Sequence, residues 1–216
     1  MQNIQDQQGE GLAVQLGYAY YNRNILLELR KIKDNLSNDT PDHLKELFGY
    51  MERTSRDNTI LHIAKIYDRK SRNKTRRLIK LINQLISSDL SIKNKYFTDS
   101  QWPKFLDRHT NIFSHFEKPI PNCNQYLKWC LDRIEELEND SESSLNKVRT
   151  WRDKILAHNE AFDRSKMKMD DYEVDFLLEF AEAVLDFTNS FASTDMHVIL
   201  RKSRTGFVKN IFEEYL

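Results

Sequence analysis

The chain has 216 residues, and its 33 Lys and Arg balance its 33 Asp and Glu, so the formal net charge is zero. This length fits one domain or two small ones, and a zero net charge excludes a strong overall field for nucleic acid or anionic membranes. Only 5 glycines and 4 prolines occur, which disfavours turn-rich β architectures and favours helices.

The first predicted helix follows a polar start, Met1–Gly11, that lacks the basic and apolar regions of a signal peptide. Apolar residues then recur every three or four positions from Tyr18 to Leu36, which is the period of an amphipathic helix. The pair Thr40-Pro41 has the pattern of an N-cap and first helical residue. It predicts a second, long helix that ends near Tyr67 and is broken near residues 55–58.

A strongly basic stretch comes next, since residues 69–80 contain seven Lys or Arg and no acid. Such a run is either an ordinary solvated loop and helix start or a patch that faces phosphate groups, and both interpretations stay open. From Leu78 to Ile86 the apolar residues resume a helical period, which predicts a third helix.

Residues 87–124 have no clear period, because prolines interrupt the apolar spacing. We predict an insertion here, partly helical and partly irregular, that packs on the bundle. The remaining segments with a helical period are Tyr126–Glu138, Ser144–His158, Tyr172–Phe191 and a short final one at Phe207–Tyr215.

These elements predict an all-α protein with one helical domain at 13–192, which includes the 87–124 insertion. A flexible N-terminus at 1–12 precedes it, and a C-terminal extension with a short helix follows at 193–216. No stretch approaches the ~18 apolar residues of a transmembrane helix, so we expect no membrane partner. Two cysteines are too few for a disulfide framework, which favours a cytoplasmic location.

Four residues of metal-ligand type lie close in sequence, namely His109, His115, Cys123 and Cys130. Their spacing matches no standard zinc motif. The two cysteines are seven residues apart and share one helical face if the helix extends that far, and a reduced core cysteine is the commoner case. We therefore expect neither a metal nor another cofactor, and the common nucleotide-binding and hydrolase motifs are absent from the sequence.

The segment KVRTWRDKILAHNE, Lys147–Glu160, has an unusual polar residue in its apolar face. On a helical wheel of about 100° per residue, the apolar stripe is centred close to Arg152. A guanidinium there must reach solvent or find a partner, because burial of an unpaired charge is costly. His158 lies near the edge of the stripe, about 9 Å further along the axis. The two groups converge if the helix ends at His158, or if two copies face each other across a two-fold axis, which predicts a homodimer.

A purely structural interpretation also remains open. In it, Arg152 pairs with an acid from a neighbouring helix, for example from the set Glu135, Glu136 and Glu138, and His158 merely favours a helix C-terminus.

The run RDKILAH, from Arg152 to His158, with an acid following at Glu160, resembles the signature of the HEPN superfamily of α-helical proteins. It is most similar to the branch found in abortive-infection proteins of type U, whose Arg-Asn/Asp-Lys-x-x-Ala-His core lies on the penultimate major helix. The earlier ILHIAKIYD, Ile60–Asp68, is similar to that branch's helix ending in Tyr-Asp or an equivalent. Together they cover the helix order over most of residues 15–192.

This resemblance implies a HEPN-like helical bundle that acts as a homodimer in toxin/antitoxin systems or phage defence, with metal-independent RNA cleavage in active members. Arg152 and His158 are then the catalytic residues, and Asp153 orients one of them. RNA is the implied substrate and a cognate antitoxin an implied partner. The candidate RNA contacts are Arg149, Lys154, Arg72, Lys74, Arg76 and Arg77.

Other HEPN proteins bind nucleotides or partners without cleaving RNA. The alternatives are therefore a non-catalytic module that binds RNA, nucleotide or a protein, and a helical interaction protein in which Arg152 is structural.

Overall fold

The computed structural model describes residues 11–37, 40–68, 78–87, 101–113, 123–157 and 169–192. Their helices are α1 (Leu12–Asp34), α2 (Asp42–Tyr67), α3 (Leu78–Ser87), α4 (Gln101–Arg108), α5 (Thr110–Phe113), α6 (Cys123–Asn139), α7 (Ser144–Trp151) and α8 (Asp171–Ala192). A π-helical stretch, Arg152–Ala157, continues α7 and is called the π segment below. No strand occurs in these ranges, and the all-α prediction is confirmed. None of the described helices has the length and apolar character needed to cross a bilayer.

Helices α1 and α2 form an antiparallel hairpin. At one end, Gln15 Oε1 lies 2.8 Å from His62 Nδ1, and at the other end Arg30 and Lys33 both bind Glu52. The start of α1 therefore contacts the later part of α2, and the end of α1 contacts the earlier part of α2.

The break expected in α2 near residues 55–58 is wrong, because α2 is continuous from Asp42 to Tyr67. The polar residues that suggested a break have partners, either on another helix or within α2 itself. Asp57 accepts a hydrogen bond from Trp151 Nε1, and Arg56 lies over the ring of Trp151. Thr59 Oγ1 donates to the carbonyl of Ser55, which is buried.

The start of α2 also differs by one position from the prediction. Pro41 is the N-cap, and its carbonyl accepts the N–H groups of Leu44 and Lys45. The Thr40 hydroxyl lies 3.4 Å from that of Ser37 instead of capping the helix. Thr40 therefore belongs to the turn that precedes the cap.

The main core receives buried side chains from all eight helices, and α1 contributes from its first residue. Leu12 and Leu16 are buried there, so α1 begins earlier than the apolar stripe predicted from Tyr18. Helices α4 and α5 supply Phe105 and Ile112, which are also buried. Residues 101–113 thus contribute to the same core as the rest of the bundle.

A second, much smaller apolar cluster lies at the far end of the hairpin. Its buried members are Leu29 and Ile32 of α1 and Phe48 of α2. Because it shares no buried residue with the main core, the tip of the hairpin has its own packing.

A buried arginine joins α1 to the start of α8. Arg23 is only 3% exposed, and it donates through Nε and Nη2 to Asp175 and through Nη1 to Asp171. Arg30 Nη1 donates to both oxygens of Asp171. A buried guanidinium requires such partners, because its removal from water is otherwise very costly.

The same contacts set the ionisation of Asp171. Partial burial acts to raise its pKa, but hydrogen bonds and charge from Arg30 and Arg23 outweigh this, and the pKa lies below its ordinary value. The carboxylate therefore contributes stability above the unfolded pKa of about 3.9 and loses that contribution as pH falls through the lower, folded value.

We predict that Asp171→Asn destabilises the protein at pH 7 and that the difference from the parent shrinks at pH 3, below the unfolded pKa of about 3.9, because the unfolded chain takes up this proton more readily than the folded protein. Urea unfolding at both pH values measures this. Asp34→Asn, at an exposed site, is the matched control and should leave stability nearly unchanged. An Asp171→Asn effect of equal size at both pH values would contradict the prediction.

Candidate functional site

The turn between α6 and α7 is fixed by two polar side chains. Ser143 is the N-cap of α7, where its hydroxyl accepts the N–H of Asn146 at 3.2 Å and donates to the carbonyl of Leu137. The amide of Asn146 donates to the carbonyls of Leu137, Glu138 and Asp140. Because the last carbonyls of a helix lack partners within the helix, these bonds satisfy the end of α6 and orient α7.

Helix α7 is anchored on its inner side. Leu145, Val148 and Trp151 are buried in the main core. Trp151 Nε1 donates to Asp57 of α2 at 3.1 Å, and the guanidinium carbon of Arg56 lies 5.1 Å from the centre of the Trp151 ring. Cation–π contact and hydrogen bond together fix Trp151, and therefore the position of the residue that follows it.

Arg149 has structural partners on two other helices. Its Nη2 donates to the carbonyl of Tyr67 at 3.2 Å and to Glu138, whose side chain is only 9% exposed. The Tyr67 hydroxyl in turn donates to the carbonyl of Leu177 at 2.7 Å, and burial raises the pKa of this hydroxyl well above its ordinary value. These bonds occupy Nη2 while the side chain stays 24% exposed, and the role of Arg149 as an RNA contact stays a prediction.

Arg152 is held by two carboxylates and remains partly open to solvent. Its Nε donates to Asp153 Oδ1 at 2.7 Å, and its Nη1 lies 3.6 Å from Asp68 Oδ2 at the end of α2. The side chain is 27% exposed. The hydrogen bond that Arg152 donates to Asp153 and the charges of both acids raise the pKa of Arg152, against the effect of partial burial, so the guanidinium stays protonated. Within the described ranges, Nη2 has no hydrogen-bond acceptor.

Among the described residues, Arg152 pairs with none of Glu135, Glu136 and Glu138, the examples given for the structural interpretation, and Glu138 pairs with Arg149. An acid from another helix is nevertheless close, because Asp68 Oδ2 at the end of α2 lies 3.6 Å from Arg152 Nη1. The structural interpretation of Arg152 therefore stays open.

Arg152 is also the first residue of the π segment. A π-helix closes its hydrogen bonds over five residues and turns less per residue than the 100° of an α-helix. The α-helical wheel angles beyond Arg152 therefore do not apply. Such segments are rare and often occur at functional sites. Asp153 and Lys154 are exposed on it.

The structure thus brings Arg152 and Asp153 together with Asp68, which the sequence analysis did not single out as a partner. The only sequence signal for Asp68 is its place as the last residue of the ILHIAKIYD segment. His158 lies outside the described residues, and so do four predicted RNA contacts, Arg72, Lys74, Arg76 and Arg77.

The residues weighed as metal ligands have other surroundings where they are described. His109 Nε2 lies 2.9 Å from Asp186 Oδ2, and both residues are buried. Cys130 is buried in the main core, on the same helix as Cys123, and His115 lies outside the described residues. No group of three His, Cys, Asp or Glu side chains is placed to bind a metal in the described parts of the chain.

We predict that the two arginines of α7 and the π segment differ in their effect on stability. Arg149→Ala removes a donor from Glu138 and from the Tyr67 carbonyl and should lower the free energy of unfolding by about 2–4 kcal/mol. Arg152→Ala removes only partly exposed ion pairs and should cost about 1 kcal/mol or less. Urea unfolding at pH 7 compares them, and equal losses would show that Arg152 is as structural as Arg149.

Comparison with known proteins identifies the family of the chain. A model of the AbiU2 family of HEPN domains, HEPN_AbiU2, matches residues 42–206, about three quarters of the chain. Searches of curated proteins and of solved structures found no significant match. The matched range contains Asp68, Arg152 and Asp153, and the family suggests an abortive-infection or phage-defence context. The chain therefore belongs to the AbiU2 family of HEPN proteins.

Proposed function

We propose that the protein is a metal-independent endoribonuclease of a toxin/antitoxin or phage-defence system. It acts as a homodimer in the cytoplasm, with a composite site formed by Arg152 and His158. The observation that carries this proposal is the geometry of Arg152, which combines a fixed orientation with an open outer edge.

The orientation of Arg152 comes from Asp153. Because Asp153 binds Nε, it restricts the orientation of the guanidinium and leaves the two terminal nitrogens without a hydrogen bond to Asp153. Nη1 is 3.6 Å from Asp68, beyond hydrogen-bond distance, and Nη2 has no acceptor in the described ranges. Two parallel N–H groups of this kind match the oxygens of a phosphate. Arg152 is therefore suited to bind the phosphate that is cleaved and to stabilise the charge that develops on it.

The chemistry needs a base and an acid as well as a phosphate ligand. One imidazole takes the proton from a ribose 2′-hydroxyl, whose oxygen forms a bond to phosphorus while the bond from phosphorus to the 5′-oxygen breaks. A second imidazole gives its proton to that leaving oxygen. His158 of the two copies supplies both groups, which is why the site requires a dimer. The products carry a 2′,3′-cyclic phosphate and a 5′-hydroxyl, and a substrate without the 2′-hydroxyl is not cleaved.

One observation favours the second candidate, a non-catalytic module that binds RNA, nucleotide or a protein partner. Two carboxylates, Asp68 and Asp153, lie beside the guanidinium of Arg152. A phosphate has to overcome repulsion by these two negative charges when it approaches Arg152. A protein partner with its own basic residue meets no such obstacle.

We predict that purified protein cleaves single-stranded RNA in the presence of a chelator and that His158→Ala lowers the rate by about 10²- to 10⁴-fold. Loss of positioned proton transfer is the reason. Gel analysis of labelled RNA measures the rate, and thermal unfolding checks that the fold is kept. His43→Ala, at an exposed site on α2, is the matched control and should cleave like the parent.

Two results would contradict the catalytic proposal. One is equal cleavage by the parent and His158→Ala, which would indicate a contaminating nuclease. The other is no cleavage of any RNA by the parent, which would favour the binding module.

We also predict that light scattering gives a mass near twice 25.8 kDa at micromolar concentration. If the site needs an imidazole from each copy, proven mixed dimers of parent and His158→Ala subunits should cleave as slowly as His158→Ala homodimers, because each mixed dimer contains only one of the two imidazoles. A monomer by light scattering would reject the dimer, and mixed dimers that retain a large part of the parent's rate would reject a site shared between copies.

A further inference from the structure

A cavity of about 250 Å³ lies between the α1–α2 hairpin, the end of α7 and the start of α8. One wall is apolar and includes Leu26, Ile60 and Val174. Arg30 and Asp170 line it as well. The cavity does not include Arg152, but Trp151, the residue before it, is part of the wall.

The charged groups at this cavity balance one another, which argues against a phosphate ligand. Arg23 is bound by Asp171 and Asp175, and Arg30 is bound by Asp171 and Glu52. Arg56 also lines the cavity, where Asp170 contributes an opposite charge. Because no excess of positive charge remains, a polar but uncharged ligand fits this cavity better than an anion.

The size of the cavity limits the ligand to a small group, such as one ring system. A protein cavity of about 150 Å³ binds benzene, whereas sites for complete small molecules occupy about 300–1,000 Å³. The observed volume of about 250 Å³ is enough for a bicyclic base but not for its sugar and phosphate as well. Bases of single-stranded RNA are commonly inserted into protein pockets in this way.

Two polar groups at the cavity have unused hydrogen-bonding capacity among the described residues. Arg30 uses Nε and Nη1, and its Nη2 has no acceptor there. The exposed carboxylate of Asp170 has no partner in the same ranges, where only the backbone N–H and carbonyl of this residue are hydrogen-bonded, to Glu173 and Val174. A carboxylate accepts from two adjacent N–H groups, and an arginine donates to neighbouring acceptors.

Guanine carries this combination of groups. Its N1–H and 2-amino group are adjacent donors for a carboxylate, and its O6 and N7 are acceptors that arginine recognises. Adenine and cytosine lack the paired donors, and uracil has one donor between two acceptors. The polar side of the cavity therefore matches guanine best.

We propose that this cavity binds a guanine base of single-stranded RNA, with Asp170 and Arg30 as the residues that recognise it. The inference rests on the proposed function, because it assigns a base preference to the same RNA. Leu26 and Arg30 belong to α1, which precedes the residues matched by the AbiU2 family. Trp151 of the cavity wall and Arg152 are consecutive residues, so the base site and the phosphate site are neighbours along the chain.

The test measures binding rather than cleavage, in the full-length His158→Ala protein, so that the RNA stays intact. Fluorescence anisotropy compares labelled oligoadenylates that carry guanine, inosine, uracil or cytosine at one central position with the unsubstituted strand. The guanine strand should bind about 10-fold more tightly, as expected for one paired recognition contact. Inosine, which lacks the 2-amino group, should lose most of this gain.

Variants then identify the cavity as the source of the preference. Adding Asp170→Asn should abolish the preference for guanine while leaving binding of the oligoadenylate unchanged or slightly stronger. Adding Asp34→Asn removes the same charge at an exposed site elsewhere on the surface and should preserve the preference. Guanosine monophosphate, used as a competitor, should displace the guanine strand only weakly, because the strand has additional phosphate contacts.

Equal binding of all strands, or a guanine preference that survives Asp170→Asn, would overturn the inference. Tight binding of free guanosine monophosphate would indicate a free nucleotide as the ligand and would reject RNA as the source of the base. These outcomes are separate from the proposed function. If the parent cleaves RNA but binds all strands equally, the ribonuclease proposal stands and the guanine site is rejected. If the protein prefers the guanine strand but the parent cleaves no RNA, the guanine site stands and the ribonuclease proposal is rejected.

Discussion

A helix end has carbonyl groups that no later N–H of the same helix can reach, and α2 meets this constraint with an arginine from α7. Arg149 donates to the Tyr67 carbonyl across 82 positions of sequence and binds Glu138 of α6 at the same time. One turn later in the chain, Arg152 lies near Asp68, the residue that directly follows α2. The end of α2 thus connects α2, α6 and α7 through these contacts. The position of Arg152 is therefore set by contacts within the protein, without a bound ligand.

The helical architecture could be predicted because apolar periods report directly on which faces are buried. The same periods do not report which polar groups meet. The stretch 55–58 in α2 was interpreted as a break because its side chains are polar, yet Asp57 and Arg56 find their partners on Trp151, far along the chain. Asp68 was not assigned to Arg152 for the same reason, since an ion pair between distant residues leaves no local pattern.

The candidate site at Arg152, Asp153 and His158 stays a prediction, and the structure adds that Arg152 donates a hydrogen bond to Asp153. The position of Arg152 within an apolar stripe correctly indicated that it needs a partner. The π segment was not predicted, because a periodicity of apolar residues over six positions does not distinguish α-helical from π-helical hydrogen bonding. Membership of the family adds the functional context. The match to the family model begins at residue 42 and so leaves out α1, although α1 buries Leu12, Leu16 and Arg23 against the matched region.

The separate packing at the tip of the hairpin has a consequence for how the fold opens. Only Leu29, Ile32 and Phe48 are buried there, whereas the base of the hairpin shares the main core with the other helices. Regions with few buried contacts open at lower free energy than the global unfolding transition and do so as cooperative units. The tip of α1 and α2 is therefore such a unit, in which amide hydrogens exchange with solvent through local fraying while the base of the same two helices remains protected.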